Sequence, residues 1–118
     1  MYEYKAEIVR VIDGDTIVCN IDLGFNTWIR NEHIRLARIN APESRTRDLE
    51  EKARGNAATE FVLDMIANYG KTILLRTEID KGKFGRYIGE INFYECSDMI
   101  CNLNDMLVEN GHAEYVEY

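Results

Sequence analysis

The chain has 118 residues, of which 46% are hydrophobic and 30% charged, a composition that excludes a disordered tail and predicts one domain over 1–118. Its net charge of −7 argues against long-range steering of a polyanion. Residues 87–118 contain seven acids and no Lys or Arg, and half of the 14 basic residues lie close together in the sequence. These are Arg30, Arg35, Arg38, Arg45, Arg47, Lys52 and Arg54.

Targeting signals are missing from the sequence as written. No apolar run approaches the ~20 residues of a membrane span, and the N-terminus has no apolar signal-peptide region. We therefore expect a soluble monomer with no membrane partner, cytoplasmic as written and secreted if a leader was removed. Cys19, Cys96 and Cys101 match no zinc or redox spacing and are expected to be thiols, with Cys96 and Cys101 pairing only in an oxidising compartment.

The first part of the chain predicts strands joined by tight turns. Alternating Ile17, Cys19 and Ile21 indicate a half-buried strand, and Asp13-Gly14-Asp15 before it is typical of a turn. Strands are predicted over 4–12, 16–22 and 28–39.

The second part predicts a long helix, two more strands and a shorter helix. Apolar residues recur at helical spacing over 49–69, and Gly70 is a suitable stop. Strands are predicted over 71–77 and 86–94, and a helix over 99–110. This order predicts an α+β protein with the OB-fold: a five-stranded antiparallel β-barrel, a long helix between strands three and four, and a second, C-terminal helix.

Oxygen-bearing side chains flank the predicted turn and the single proline. Asp15, Asn40 and Glu43 offer oxygens of the kind that Ca²⁺ prefers. Arg35 offers a planar fork of donors that matches a phosphate, and Arg86 is a candidate for a second such group. Together they indicate phosphodiester hydrolysis.

Each of these residues also has a purely structural interpretation. Asp13 and Asp15 are ordinary turn residues, and Asn40 before Pro42 is a common turn start. Arg35 could form a salt bridge to Glu43 or Asp15. For each residue taken singly, the structural interpretation is favoured. Only the joint pattern of these residues favours a catalytic site.

Five short motifs follow one another over residues 8–115. They are the Ile12–Thr16 turn, the segment from Arg35 to Glu43, the helix with Gly55, Ala58 and Phe61, the Lys83–Arg86 turn, and the helix end Leu107–Ala113. Any one of them alone is weak evidence. Together, at this spacing, they resemble the staphylococcal nuclease family, the thermonuclease-like Ca²⁺-dependent nucleases.

The resemblance implies a metal site. Asp15 would ligate Ca²⁺ together with Asn40 and the backbone carbonyl of Ala41, and Asp13 would lie just behind these ligands. Asn40 stands where the family usually has a second aspartate, so weaker Ca²⁺ binding is expected.

The resemblance also implies a catalytic set of Arg35, Glu43 and Arg86. Glu43 would orient or deprotonate the attacking water, and the two arginines would grip the phosphate. The implied activity is low-specificity hydrolysis of DNA or RNA that leaves 3′-phosphates. Nucleotide contacts are expected from Lys83, Phe84 and Tyr115.

Two alternatives remain open at this stage. A catalytically weak or inactive OB-fold module that binds nucleic acid or protein is consistent with Asn40. A structural interaction domain would use the acidic residues of 87–118, but it would leave the basic cluster around Glu43 without a purpose. The family's third, C-terminal helix does not appear in the sequence as written.

Overall fold

The computed structural model describes residues 2–81, 86–94 and 101–116, with residues 78–81 described by their backbone alone. The strands and helices follow one another in the predicted order, and two short strands are additional. The elements are β1 (Tyr2–Asp13), β2 (Thr16–Asp22), β3 (Trp28–Leu36), β4 (Ile39–Asn40), α1 (Leu49–Tyr69), β5 (Thr72–Lys81), β6 (Tyr87–Phe93), α2 (Leu103–Glu109) and β7 (Glu114–Tyr115).

Five strands close into a barrel in the order β1-β2-β3-β6-β5. This confirms the α+β class, the five-stranded barrel and the helix between its third and fourth strands. The prediction that the barrel is purely antiparallel was wrong, because β3 and β6 pair in parallel. A closed ring with an odd number of strands cannot alternate direction at every step, so one pair has to be parallel.

The third predicted strand is interrupted by a turn. β3 ends at Leu36, and Arg38 adopts a left-handed backbone with φ 67°. The chain then continues as β4, which pairs with β7 rather than with the barrel. This bend carries Asn40 and the residues after it back toward the start of β2, where the Ala41 amide meets Asp15.

Buried apolar residues of the barrel strands form one core cluster, which includes Ala58 and Val62 of α1. Gly55, Ala58 and Val62 are the buried face of α1. The side chain of Asp48 caps α1 by accepting hydrogen bonds from the backbone N–H groups of Glu50 and Glu51. In the described part of the chain, no helix is both long and apolar enough to cross a membrane.

The second helix begins later than the sequence suggested. Asn102 caps α2 by accepting from the Asp105 N–H, so the helix starts at Leu103 rather than at residue 99. Residues 99 and 100 lie outside the described part. The buried amide of Asn104 makes polar contacts from α2 to β6.

Cys19 and Cys101 differ in chemical state. Cys101 is disulfide-bonded, which corrects the expectation of three free thiols, whereas Cys19 is a free, fully buried thiol on β2. Burial raises the pKa of Cys19 from 9.0 to about 12.

We expect Cys19 to resist alkylation in the native state, because the thiolate is the reactive form and burial disfavours it. Peptide mass spectrometry should find modification of Cys19 only after unfolding. The raised pKa also means that stability falls as the pH rises from about 9 toward 12, because the unfolded chain loses this proton first. Rapid native labelling at pH 8 would contradict this account.

Candidate active site

Asp15 lies in the tight turn that joins β1 to β2, where Asp13 pairs with Thr16. The turn is packed closely against the rest of the protein at Gly14. A Cβ at this position would lie 2.8 Å from the Ala58 Cβ and 3.2 Å from the Ala41 Cβ. Only glycine therefore allows the turn to approach both α1 and the chain that follows β4.

The Asp15 carboxylate joins two segments that are distant in the sequence. Its Oδ2 accepts a hydrogen bond from the Ala41 backbone N–H at 3.0 Å and lies 3.5 Å from the Arg35 Nη2. Its Oδ1 accepts from the Thr16 hydroxyl at 3.2 Å. The side chain of Asp15 is 13% exposed, so it is mostly enclosed.

Arg35 projects from the end of β3, beside Thr16 of β2. Its Nη2 donates to the Asn40 Oδ1 at 3.3 Å, and its Nη1 donates to the Leu36 carbonyl at 2.9 Å. Asp15, Arg35, Asn40 and Ala41 therefore form one contact group. The salt bridge between Arg35 and Asp15 is the structural alternative raised from the sequence, and it is compatible with a site as well.

Asp13 contacts the loop after Pro42 rather than a ligand position. It accepts hydrogen bonds from both the backbone N–H and the hydroxyl of Ser44. Ser44 directly follows Glu43, whose side chain is exposed. Asp13 therefore fixes the loop on which Glu43 is carried, which is a contact that the sequence gave no reason to expect.

Glu43 is held from the other side by α1. A Cβ at Gly55 would lie 2.4 Å from the Glu43 carbonyl oxygen and 2.6 Å from the Ser44 backbone nitrogen. The helix and the loop backbone are thus in direct contact at this point. Gly55 looks like a weak point of the helix in the sequence, but the structure gives it this packing role.

Arg86 directly precedes β6 and can be placed from the strand register. Ile88 pairs with Arg35 in the parallel ladder, and residues two apart on a strand point to the same side. Extending that alternation by one residue puts Arg86 on the Arg35 side of the sheet. Its Nε is buried.

The structure describes only one of the three residues expected to contact nucleotide. Lys83 and Phe84 lie outside the described residues. Tyr115 donates its hydroxyl hydrogen to Asp105 at 2.9 Å, and the Arg38 guanidinium lies 5.8 Å from its ring centre. The hydrogen bond to the Asp105 carboxylate raises the pKa of Tyr115. Its nucleotide contact stays a prediction.

The basic cluster of the sequence divides in space. Arg30 stacks on Trp28 at 5.0 Å, and Arg38 forms ion pairs with Glu90 and Asp105. Four exposed basic residues remain near Glu43, on the loop and the first turns of α1. They are Arg45, Arg47, Lys52 and Arg54.

Asn104 connects the chain at the end of β3, which carries Arg35, with β6, which directly follows Arg86. This fully buried residue donates to the carbonyls of Ala37 at 2.9 Å and Gly89 at 3.1 Å, and accepts from the Ile91 N–H at 3.2 Å. It therefore fixes the end of β3 relative to β6. An asparagine among the apolar residues of a helix was the one available signal for it in the sequence.

The donors at this site suit a hard cation in type but supply little charge. A carboxylate from Asp15, an amide oxygen from Asn40 and a backbone carbonyl from Ala41 are the oxygen ligands that Ca²⁺ takes. Among the described residues no three His, Cys, Asp or Glu side chains come together as a metal cluster. One carboxylate facing Arg35 at 3.5 Å predicts a weak cation site.

Comparison with known proteins finds similarity to nucleases. The chain is 28% identical over 120 residues to a micrococcal nuclease of Shigella flexneri, and the alignment covers 98% of this chain and 60% of that protein. The chain thus spans about 60% of the relative's length. A family model described as "Staphylococcal nuclease homologue" matches residues 33–118, which include Arg35, Asn40, Glu43 and Arg86. Since that match covers more than half of the chain, the protein belongs to the staphylococcal nuclease family.

Proposed function

We propose that this protein is a Ca²⁺-dependent nuclease that hydrolyses DNA or RNA with little sequence specificity. The single observation that carries the proposal is the contact group of Asp15, Arg35, Asn40 and Ala41, which sets oxygen ligands beside a guanidinium. Family membership supports a nuclease-like function in general. The identity of the metal, of the substrate and of the products is part of the proposal.

In the proposed reaction, water attacks phosphorus and the bond to the 5′ oxygen breaks, leaving a 3′-phosphate. Glu43 accepts a proton from the attacking water or holds that water in place. Arg35 and Arg86 neutralise phosphate oxygens as negative charge builds on them. A cation held by Asp15, Asn40 and the Ala41 carbonyl would supply further charge stabilisation when bound.

The protein's own contacts prepare this arrangement. Ala41 is tied to Asp15 by its amide, and Ser44 is tied to Asp13, so both ends of the segment that contains Glu43 are fixed to the same turn. A base that is held within hydrogen-bond reach of its water needs no rearrangement at the moment of reaction. The exposed side chain of Glu43 is consistent with contact to a water molecule.

A metal-dependence assay tests the proposed function. Purified protein should degrade single-stranded DNA when Ca²⁺ is added and should stop when a chelator is present. Arg35→Gln should slow the reaction by roughly 10²–10³-fold, because one donor to the developing charge is lost. Arg30→Gln, an exposed arginine on Trp28, serves as the matched control and should leave the rate unchanged. Cleavage that persists in chelator and in Arg35→Gln would refute the proposal.

The second candidate is a binding module with little or no catalytic activity. It is favoured by one observation, the presence of Asn40 where a second carboxylate would strengthen the cation site. Asn40→Asp is expected to raise Ca²⁺ affinity, measured by calorimetry, because ligand charge is a main determinant of affinity. Asn26→Asp, in the exposed turn before β3, controls for added charge. An unchanged Ca²⁺ affinity in Asn40→Asp would remove residue 40 from the proposed metal site.

A further inference from the structure

We propose that a cleft beside the candidate active site binds the nucleotide adjoining the hydrolysed phosphate, an inference that rests on the proposed function. The cleft has a volume of about 520 Å³ and lies between α1 and the segment after α2. Asn40 and Ala41 line it. The same two residues contact Arg35 and Asp15, so a strand bound at the phosphate site would continue directly into the cleft.

The size of the cleft matches a single nucleotide. Small-molecule sites in proteins typically occupy about 300–1,000 Å³, and this cleft falls within that range. Its lining is more polar than a core cavity, with charged side chains from α1 and from β7. A nucleotide, which combines a planar apolar base with an anionic backbone, suits such a mixed surface.

Arg54 is positioned to contact the backbone of the bound strand. It is an exposed residue of α1 and contributes a positive charge to the wall of the cleft. Glu51 and Glu114 also line the cleft and would repel phosphate. Among the side chains that line the cleft, a phosphate is therefore expected to contact Arg54.

His112 offers a surface for the base. His112 lines the cleft, and its ring packs on Phe61 with the ring centres 4.9 Å apart. Its backbone N–H donates to the Leu107 carbonyl at 2.8 Å, which ties it to the end of α2. A ring supported in this way can stack a base, as aromatic side chains do in proteins that bind single strands.

Binding of a fluorescein-labelled octathymidylate, followed by anisotropy, tests the Arg54 contact. All proteins carry Glu43→Gln, so that the probe is not consumed, and Ca²⁺ is present throughout. Arg54→Gln should make the dependence of log affinity on log salt shallower by about 0.7, the value for one contact to a single strand. Lys52→Gln, an exposed residue of α1 that does not line the cleft, should leave the slope unchanged. Equal slopes for the two variants would overturn the backbone contact.

The stacking contact is tested at His112 with a matched pair. His112→Ala should lower affinity for the octathymidylate at least about fivefold, whereas His112→Phe should retain it because the stacking surface remains. Thermal unfolding of both variants identifies losses caused by weakened packing on Phe61. Equal loss of affinity in two folded variants would overturn the base contact.

Hydrolysis of bis(4-nitrophenyl) phosphate separates this inference from the proposed function. That substrate has no adjoining nucleotide, so Arg54→Gln should cleave it at the wild-type rate while KM for a long oligonucleotide rises. If the wild-type protein cleaves neither substrate but Arg54→Gln still alters the salt slope, the proposed function fails and the cleft remains a binding site. If cleavage occurs and Arg54→Gln equals wild type on both substrates, the cleft is not a subsite.

Discussion

Gly55→Ala is expected to destabilise the protein and to displace the Glu43 loop. In an open helix this change would raise the free energy of unfolding by about 1 kcal/mol, since alanine is the better helix former. Here the new methyl group would lie 2.4 Å from the Glu43 carbonyl oxygen, so the helix or the loop has to move. Because the atoms that the methyl group meets are backbone, we expect a cost in the upper part of the ~1–3 kcal/mol range for overpacking, which exceeds the gain in propensity.

Urea unfolding compares Gly55→Ala with Asn56→Ala, the adjacent exposed residue of α1. The control gains helix propensity without a contact and should be as stable as wild type or slightly more so. Nuclease activity should also fall in Gly55→Ala at temperatures where the protein remains folded, because Glu43 is carried by the displaced backbone. A more stable and fully active Gly55→Ala protein would show that the helix and loop are not in the contact described.

Glu43→Gln is expected to slow hydrolysis by about 10²–10⁴-fold, the range for loss of a general base. The amide keeps the size of the side chain but accepts protons poorly. Because Glu43 is exposed, the substitution should leave the melting temperature nearly unchanged, so a loss of rate would be chemical rather than structural.

The matched control is Glu50→Gln, an exposed acid in the first turn of α1. It removes the same charge near the site without altering a predicted reacting group, and it should retain most of the activity. If Glu43→Gln and Glu50→Gln behave alike in single-turnover cleavage, Glu43 is not the group that handles the proton. A loss of kcat/KM that comes only from a higher KM would assign Glu43 to substrate binding instead.

Much of the barrel could be predicted from the sequence because alternation and turn residues are local signals. Ile17, Cys19 and Ile21 predicted β2, and Gly70 predicted the end of α1. The parallel pairing of β3 with β6 depends on closure of the whole ring, which no local pattern reports. The left-handed turn at Arg38 was missed for a related reason, since arginine is not typical of such a backbone.

Residue types predicted the candidate site, but local patterns could not supply its supports. The sequence indicates Asp15, Arg35 and Asn40 because their side chains suit a cation and a phosphate. The contacts of Asp13 with Ser44 and of Gly55 with the Glu43 backbone depend on close approach of distant segments. Serine and glycine carry no chemical signal of such an approach in a single sequence.

The most direct test of the central claim is an NMR titration of the ¹⁵N-labelled protein with Ca²⁺ and thymidine 3′,5′-bisphosphate together. Thr16, Arg35 and Ala41 each contact the Asp15 carboxylate, through a hydroxyl, a guanidinium and a backbone N–H respectively. The account predicts saturable shifts in the backbone amides of these three residues, and much smaller shifts with either ligand alone. Saturable binding whose shifts avoid these three amides, or no shifts at millimolar concentrations of both ligands, would contradict it.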